Sequence, residues 1–74
     1  MRVNYFMISL GKSIKELREE KELTQVELGN LLGLSYQTIG HYENGVSQPT
    51  LETLINMCKI FGVTSDYLLG LEND

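Results

Sequence analysis

The sequence predicts an all-α protein, a compact bundle of five short helices. Apolar residues recur at three- and four-residue spacing along most of the 74-residue chain, which is the period of an amphipathic helix. A capping residue precedes most of these runs and a glycine follows them, and the chain between runs is too short for a sheet. We predict one domain over residues 11–70, preceded by a leader at 1–10, a possible strand or dimer arm, and followed by a tail at 71–74.

The first two helices are predicted to end before residue 33. Helix 1 is expected over about Lys12–Lys21, where apolar residues lie among lysines and glutamates. Thr24 and Glu27 have the spacing of a capping box, in which each side chain bonds the other residue's backbone amide, so helix 2 is expected over about Gln25–Leu32. Gly33 follows, where a left-handed residue ends a helix. The apolar faces of these helices are formed by Ile14, Leu17, Leu28, Leu31 and Leu32.

Further capping residues predict three more helices. Ser35 is expected to cap helix 3, over about Tyr36–Asn44. Thr50 is expected to cap helix 4, which Gly62 ends, and Ser65 is expected to cap a short helix 5. The apolar positions of these helices are Ile39 and Tyr42, then Leu51, Leu54, Ile55, Cys58 and Phe61, then Tyr67, Leu68 and Leu69.

Composition narrows the classes of function. The chain has 6 basic and 10 acidic residues, a formal net charge of −4, which argues mildly against a nucleic-acid partner. Its one cysteine, Cys58, cannot form an internal disulfide, and no Cys/His cluster has metal-ligand spacing. The sequence has no catalytic nucleophile paired with a general base and no phosphate-binding glycine loop. It also has no apolar span long enough to cross a bilayer. We therefore expect a cytoplasmic non-enzyme with no cofactor, no metal, no membrane association and no evident small-molecule ligand.

Residues 25–44 predict two helices joined by a turn at Gly33, Leu34 and Ser35. So short a turn makes the helices cross steeply and pack closely. Gly29 lies on the inner side of helix 2, where the absence of a side chain permits that approach. The expected geometry is a helix-turn-helix. Its packing positions are Leu28, Leu32, Leu34, Ile39 and Tyr42.

Several motifs follow one another in order along residues 11–70. They are Leu23-Thr24-Gln25-Val26-Glu27-Leu28, Leu32-Gly33-Leu34-Ser35, Tyr42-Glu43-Asn44-Gly45, Gln48-Pro49-Thr50-Leu51-Glu52-Thr53-Leu54, Phe61-Gly62-Val63 and Asp66-Tyr67-Leu68-Leu69-Gly70. With this series the chain resembles the lambda-repressor-like family, the Cro and phage-repressor class of helix-turn-helix DNA-binding proteins. The resemblance implies that helix 3 enters the major groove of double-stranded DNA with its first residues at base edges.

The face of helix 3 opposite Ile39 and Tyr42 is polar. The resemblance implies that Tyr36, Gln37 and, one turn later, His41 meet base edges. The Gln37 amide can donate and accept together at adenine, so it is the expected specificity residue. Tyr36 is expected to contact a thymine methyl group or to donate its hydroxyl to a phosphate.

Neutral side chains are expected to hold the DNA backbone. Gln25 matches a glutamine that, in the family, binds a phosphate with help from the N-terminus of helix 2. Ser35, Thr38 and Asn44 are further candidates for phosphate or sugar contacts, because neutral donors make many of the contacts that position a protein on DNA. Such contacts carry no sequence information.

Three features have a second interpretation. Arg18 and Glu43 match a family pair that forms a partly buried structural salt bridge, and the alternative is two solvated charges. His41 lacks companions at metal-ligand spacing, so base or phosphate contact is expected, with an exposed bystander as the alternative. Cys58 lies among the apolar positions of helix 4 and is interpreted as a small buried hydrophobic residue rather than a redox sensor.

We predict a sequence-specific transcriptional regulator, most simply a repressor that occupies palindromic operator DNA as a homodimer. The dimer surface is expected on helix 5 with the tail, or on the leader. The chain is expected to be bacterial or phage-encoded and nucleoid-associated when bound. Between Lys21 and Lys59 the chain has no Lys or Arg, whereas members of the family usually place basic residues there. That departure favours an alternative, a protein-interaction module such as an antitoxin or anti-repressor on the same fold.

Overall fold

The computed structural model describes the backbone of residues 5–71 and the side chains of residues 9–71, so the first four leader residues and the last three tail residues lie outside it. Within residues 5–71 it has five helices and no strand, and the predicted all-α bundle is confirmed. The helices are α1 (Tyr5–Glu20), α2 (Gln25–Leu32), α3 (Tyr36–Glu43), α4 (Leu51–Phe61) and α5 (Ser65–Leu68). Helices this short are marginal alone in water, so the fold depends on how they pack.

One hydrophobic core joins all five helices. Its buried side chains are Leu10, Ile14 and Leu17 from α1, Leu28 from α2, Ile39 and Tyr42 from α3, Met57 and Phe61 from α4, and Leu68 from α5. Leu32 and Leu34 are half-buried against this core. The core positions predicted in α2 and α3 are therefore confirmed, except for Leu31, which is 58% exposed.

Capping residues fix where the middle helices begin. The hydroxyl of Thr24 accepts from the Glu27 amide at 3.0 Å, and the Thr24 amide donates to Glu27 Oε1 at 2.8 Å. The predicted capping box of α2 is thus confirmed. Ser35 and Thr50 cap α3 and α4 as predicted.

The start of α1 corrects the prediction. The helix begins at Tyr5 rather than near Lys12, and it runs through Gly11, which packs closely against the end of α3. Leu10 extends the buried face of α1 by one turn. The interpretation of the leader as a possible strand is therefore wrong for residues 5–10.

Several other helix boundaries differ by one residue from the prediction, among them the end of α1 at Glu20 rather than Lys21. α3 ends at Glu43, and Asn44 is its C-cap with φ of −91°. The cap of α5 is Thr64 rather than Ser65, because the Thr64 hydroxyl accepts the Tyr67 amide at 3.0 Å. Threonine and serine are both common at N-caps, so neighbouring candidates cannot be separated by residue type.

The buried face of α4 also differs from the predicted one. Leu51 is 73% exposed and Ile55 is 46% exposed, whereas Met57 is fully buried. At 100° per residue, Leu51 and Ile55 lie about 120° and 160° round the helix from Met57. The core contacts of α4 are made instead by Leu54, Met57, Cys58, Ile60 and Phe61.

Gly11 lets α1 approach the end of α3. A Cβ atom on Gly11 would lie 2.6 Å from the carbonyl oxygen of Glu43 and closer still to that of Tyr42. Both oxygens belong to backbone, which no side-chain rotation can move aside. Any residue other than glycine at this position would therefore force α1 and α3 apart.

Cys58 is half-buried against the core and lines a shallow groove between α4 and α5. Burial raises the pKa of its thiol, so less thiolate is present at pH values near 8 than in an unfolded chain. We expect a thiol reagent to modify Cys58 severalfold more slowly in the native protein than in denaturant at the same pH. Equal rates would contradict the interpretation as a packed hydrophobic residue.

Candidate nucleic-acid interface

The residues of α3 divide between two faces. Ile39 and Tyr42 are buried in the core, whereas Tyr36, Gln37 and His41 are exposed. At 100° per residue, positions 36, 37, 40, 41 and 44 span an arc of about 140° on the solvent side. We call this arc the polar face of α3.

The turn before α3 holds it close to α2. Gly33 ends α2 in the left-handed region, with φ of 71°, which favours glycine. The Leu34 amide donates to the Gly29 carbonyl at 2.8 Å. A Cβ atom on Gly29 would lie 2.5 Å from the Leu34 carbonyl oxygen, so the predicted need for glycine at the inner side of the turn is confirmed.

Ser35 and Thr38 are joined in the first turn of α3. Ser35 Oγ accepts from the Thr38 amide at 3.2 Å, and the two hydroxyl oxygens lie 2.9 Å apart. One hydroxyl donates to the other, which leaves one hydroxyl hydrogen of the pair for an outside acceptor. Because Ser35 is the N-cap, Tyr36 and Gln37 are the first two residues of α3, and both are exposed.

Arg18 and Glu43 lie against each other between α1 and the end of α3. Arg18 Nε donates to Glu43 Oε2 at 2.6 Å, and Nη2 donates to Glu43 Oε1 at 3.2 Å. The two side chains are only 11% and 3% exposed, and the hydrogen bond to Glu43 raises the pKa of Arg18. A third guanidinium bond, from Nη1 to the Leu23 carbonyl at 2.8 Å, ties α1 to the start of α2.

Gln25, the first residue of α2, reaches the same carboxylate. Its Nε2 donates to Glu43 Oε1 at 3.1 Å, and its carboxamide lies beside Gly40 of α3. Sequence reasoning missed this bond, because no local pattern connects two residues 18 positions apart. The structure thus brings Arg18, Gln25 and Glu43 together.

The remaining predicted site residues lie on or beside the polar face. Tyr36 is 51% exposed, and Gln37 and His41 are exposed one turn apart on α3. Asn44 is exposed at the C-cap, on the same arc. Together these side chains offer hydroxyl, amide and imidazole groups to a molecule that docks on α3.

The charge of this surface is unusual for a nucleic-acid interface. From Glu22 to Cys58 the chain has no Lys or Arg, and the charge of Arg18 is balanced by Glu43.

Over the described part of the chain, no group of three or more His, Cys, Asp and Glu side chains is arranged to hold a metal ion. None of the described helices is both long and apolar enough to cross a bilayer.

A family model described as "Helix-turn-helix" matches residues 14–68 of the chain. The chain belongs to the Cro/C1-type helix-turn-helix family. The family relationship confirms the resemblance that the motifs of the sequence indicated. It also agrees with the observed geometry, because the matched range contains the turn after α2 and the polar face of α3.

Relatives of this helix-turn-helix chain include regulators and an antitoxin. The HTH-type transcriptional regulator ImmR of Bacillus subtilis is 35% identical over 63 residues, which are 85% of this chain and 50% of ImmR. The antitoxin PezA of Streptococcus pneumoniae serotype 4 is 36% identical over 61 residues, which are 82% of this chain and 39% of PezA. The chain thus spans half or less of the length of these two relatives.

One similar structure contains DNA. The P22 c2 repressor, solved in complex with a synthetic operator, superimposes on this helix-turn-helix chain with a TM-score of 0.79 and 28% identity. The superposition covers 85% of this chain and 96% of the repressor chain.

Proposed function

We propose that this chain is a sequence-specific double-stranded DNA-binding transcriptional regulator, most simply a repressor that occupies a palindromic operator as a dimer. The polar face of α3 carries the proposal, because Tyr36, Gln37, His41 and Asn44 are exposed there, on a helix that α1 and α2 hold in place. Similarity to a repressor solved with its operator supports it. The proposal assigns the protein to the cytoplasm, at the nucleoid when bound, and assigns no catalytic reaction to it.

Base recognition is proposed for the first turns of α3 in the major groove. Gln37 can donate to adenine N7 and accept from adenine N6 at once, a pairing that discriminates by about 1 to 3 kcal/mol. Tyr36 is proposed to contact a thymine methyl group or a phosphate. His41, one turn further along, is proposed to contact a base edge or a phosphate.

Phosphate contacts are proposed for Gln25, Ser35, Thr38 and Asn44. These groups are neutral, so they hold a phosphate by hydrogen bonds and release few counterions. The spare hydroxyl hydrogen of Ser35 and Thr38 supports such a contact at the start of α3. Affinity is therefore expected to depend less on salt than it does for a basic DNA-binding surface.

Selection from random duplex DNA at low salt tests the proposal, and the Gln37→Ala variant tests whether Gln37 is the specificity residue. We expect one palindrome to be enriched and Gln37→Ala to lose about 1 to 3 kcal/mol per half-site, a roughly 5- to 150-fold loss of affinity at each half-site that compounds over the two halves of the palindrome. Asn56→Ala, which removes an exposed amide from α4, is the matched control and is expected to bind normally. If Gln37→Ala kept both the affinity and the base preference, Gln37 would not be the specificity residue.

Dimerisation is proposed because one recognition helix reads only a few base pairs, and two copies on a palindrome read twice as many. Exposed apolar side chains on α4, on α5 and directly after α5 support self-association through this part of the chain. They are Leu51, Ile55, Tyr67 and Leu71. Sedimentation is expected to show a dimer on operator DNA, and only monomers at high micromolar concentration, with and without operator, would remove this part of the proposal.

A second candidate function is a protein-interaction module with weak or no DNA binding. The absence of Lys and Arg from Glu22 to Cys58 favours it, and the similarity to the antitoxin PezA gives it weaker support. Under this alternative, the polar face of α3 docks on a protein. Failure to enrich any duplex at low salt would favour it over the regulator.

A further inference from the structure

We propose that Glu43 is a positioning residue for DNA binding, because it fixes the carboxamide of Gln25 in the orientation that presents an N–H to a phosphate. The inference rests on the proposed function and adds a second role to Glu43. In the first role, Glu43 joins α3 to α1 through Arg18. In the second, the same carboxylate sets the direction of a side chain at the DNA surface.

The chemistry of the pair permits only one orientation of the amide. Glu43 Oε1 accepts from Gln25 Nε2 at 3.1 Å and from Arg18 Nη2 at 3.2 Å, while Oε2 accepts from Arg18 Nε at 2.6 Å. An ionised carboxylate only accepts hydrogen bonds. Turning the Gln25 amide over would place its oxygen against Glu43 Oε1, with no hydrogen between the two acceptors.

Burial makes this preference strong. The Glu43 side chain is 3% exposed, so little water is available to replace a lost donor. Arg18 is bonded to both carboxylate oxygens and to the Leu23 carbonyl, which holds the acceptor still. The Gln25 amide is therefore bonded to a fixed, charged acceptor rather than to a mobile surface group.

The Gln25 carboxamide packs beside Gly40 of α3. A Cβ atom there would lie 3.7 Å from Gln25 Nε2 and 3.9 Å from Gln25 Oε1. Both polar atoms of the carboxamide thus lie beside Gly40, which is one helical turn from Tyr36 on α3. Its second Nε2 hydrogen is available to a phosphate, which accepts hydrogen bonds and repels an amide oxygen.

A double-mutant cycle on DNA affinity tests the inference. Gln25→Met keeps the length of the side chain and removes both N–H groups, and Glu43→Gln replaces the fixed acceptor by an amide that permits either orientation. We expect Gln25→Met to weaken operator binding about tenfold in the wild-type background. In the Glu43→Gln background the same change is expected to cost about fivefold, because an amide free to take either orientation has the competent one about half of the time.

A purely structural role for Glu43 gives the opposite result, because Gln25→Met would then cost the same factor in both backgrounds. That result overturns the inference, as does a loss below about twofold in the wild-type background. If Glu43→Gln fails to fold, the cycle is run in the Arg18→Met/Glu43→Leu background, which removes the whole buried pair and is expected to fold. In that background too, a reduced cost of Gln25→Met supports the inference and an unchanged cost overturns it. If wild-type protein binds no duplex at all, the proposed function itself fails and the inference falls with it.

Discussion

Replacing Arg18 with alanine is expected to lower the free energy of unfolding by about 3 to 5 kcal/mol. Within the described residues, Arg18 supplies two of the three hydrogen bonds to the Glu43 side chain, which is 3% exposed. Without the guanidinium, a carboxylate remains in a site that water hardly reaches, and the Leu23 carbonyl loses its donor. A chain of this length has about 4 to 11 kcal/mol of stability in total, so a substantial unfolded fraction is expected.

Urea unfolding at neutral pH measures this effect. Lys15→Ala, on the exposed side of α1, is the matched control and is expected to change stability by less than about 0.5 kcal/mol. The double replacement Arg18→Met with Glu43→Leu removes both charges together and is expected to restore most of the loss. An Arg18→Ala protein as stable as Lys15→Ala would contradict a structural role for the pair.

The cost of Arg18→Ala is expected to stay constant from neutral to mildly alkaline pH. Hydrogen bonding to Glu43 raises the pKa of the Arg18 guanidinium above its ordinary value. For a cation with a raised folded-state pKa, the stabilising contribution is complete below the ordinary pKa and is lost only as the pH rises through the higher one. Stability differences measured at about pH 7 and about pH 9 should therefore agree.

Gly11→Ala is expected to destabilise the protein by about 3 kcal/mol or more, although alanine is the better helix former. The added methyl group would overlap the carbonyl oxygens of Tyr42 and Glu43, so α1 would have to lift from α3 and expose part of the core. For a domain of this size, each kcal/mol corresponds to about 4 to 8 °C. The expected fall in melting temperature is therefore about 12 to 24 °C.

Gly40→Ala is the matched control for Gly11→Ala. It makes the same substitution in the interior of a helix, but the nearest neighbours of its Cβ are the Gln25 amide atoms at 3.7 and 3.9 Å, which is ordinary contact distance. Helix propensity then dominates, and a gain of about 0.5 to 1 kcal/mol is expected. If the two variants melted within a few degrees of each other, the close contact of α1 with α3 would be wrong.

Local chemistry explains why the central helices were predicted well. The capping box of Thr24 and Glu27, the Ser35 cap and the left-handed Gly33 each need only residues a few positions apart. Such signals are complete in the sequence, so α2 and the start of α3 follow from it. The extension of α1 from Lys12 back to Tyr5 was not predicted, because the burial of Leu10 and the contact of Gly11 with α3 involve other helices and follow from no local pattern.

Periodicity alone could not choose the buried face of α4. The series Leu51, Leu54, Ile55 and Cys58 has the spacing of an apolar stripe, and so does the series Leu54, Met57, Cys58 and Phe61. Only the neighbouring helices decide between these overlapping faces, and they bury the second. The bond from Gln25 to Glu43 is unpredictable from sequence for the same reason, because it depends on how α2 crosses α3.

The separation of the two faces of α3 has a consequence for how proteins with this fold diverge. Ile39 and Tyr42 lie in the hydrophobic core, whereas Tyr36, Gln37 and His41 are exposed and lie outside it. Target preference can therefore change by substitutions that leave the scaffold untouched. Under the proposed function, a cell can keep duplicated copies insulated from each other's operators by changing a few surface positions, without a new fold.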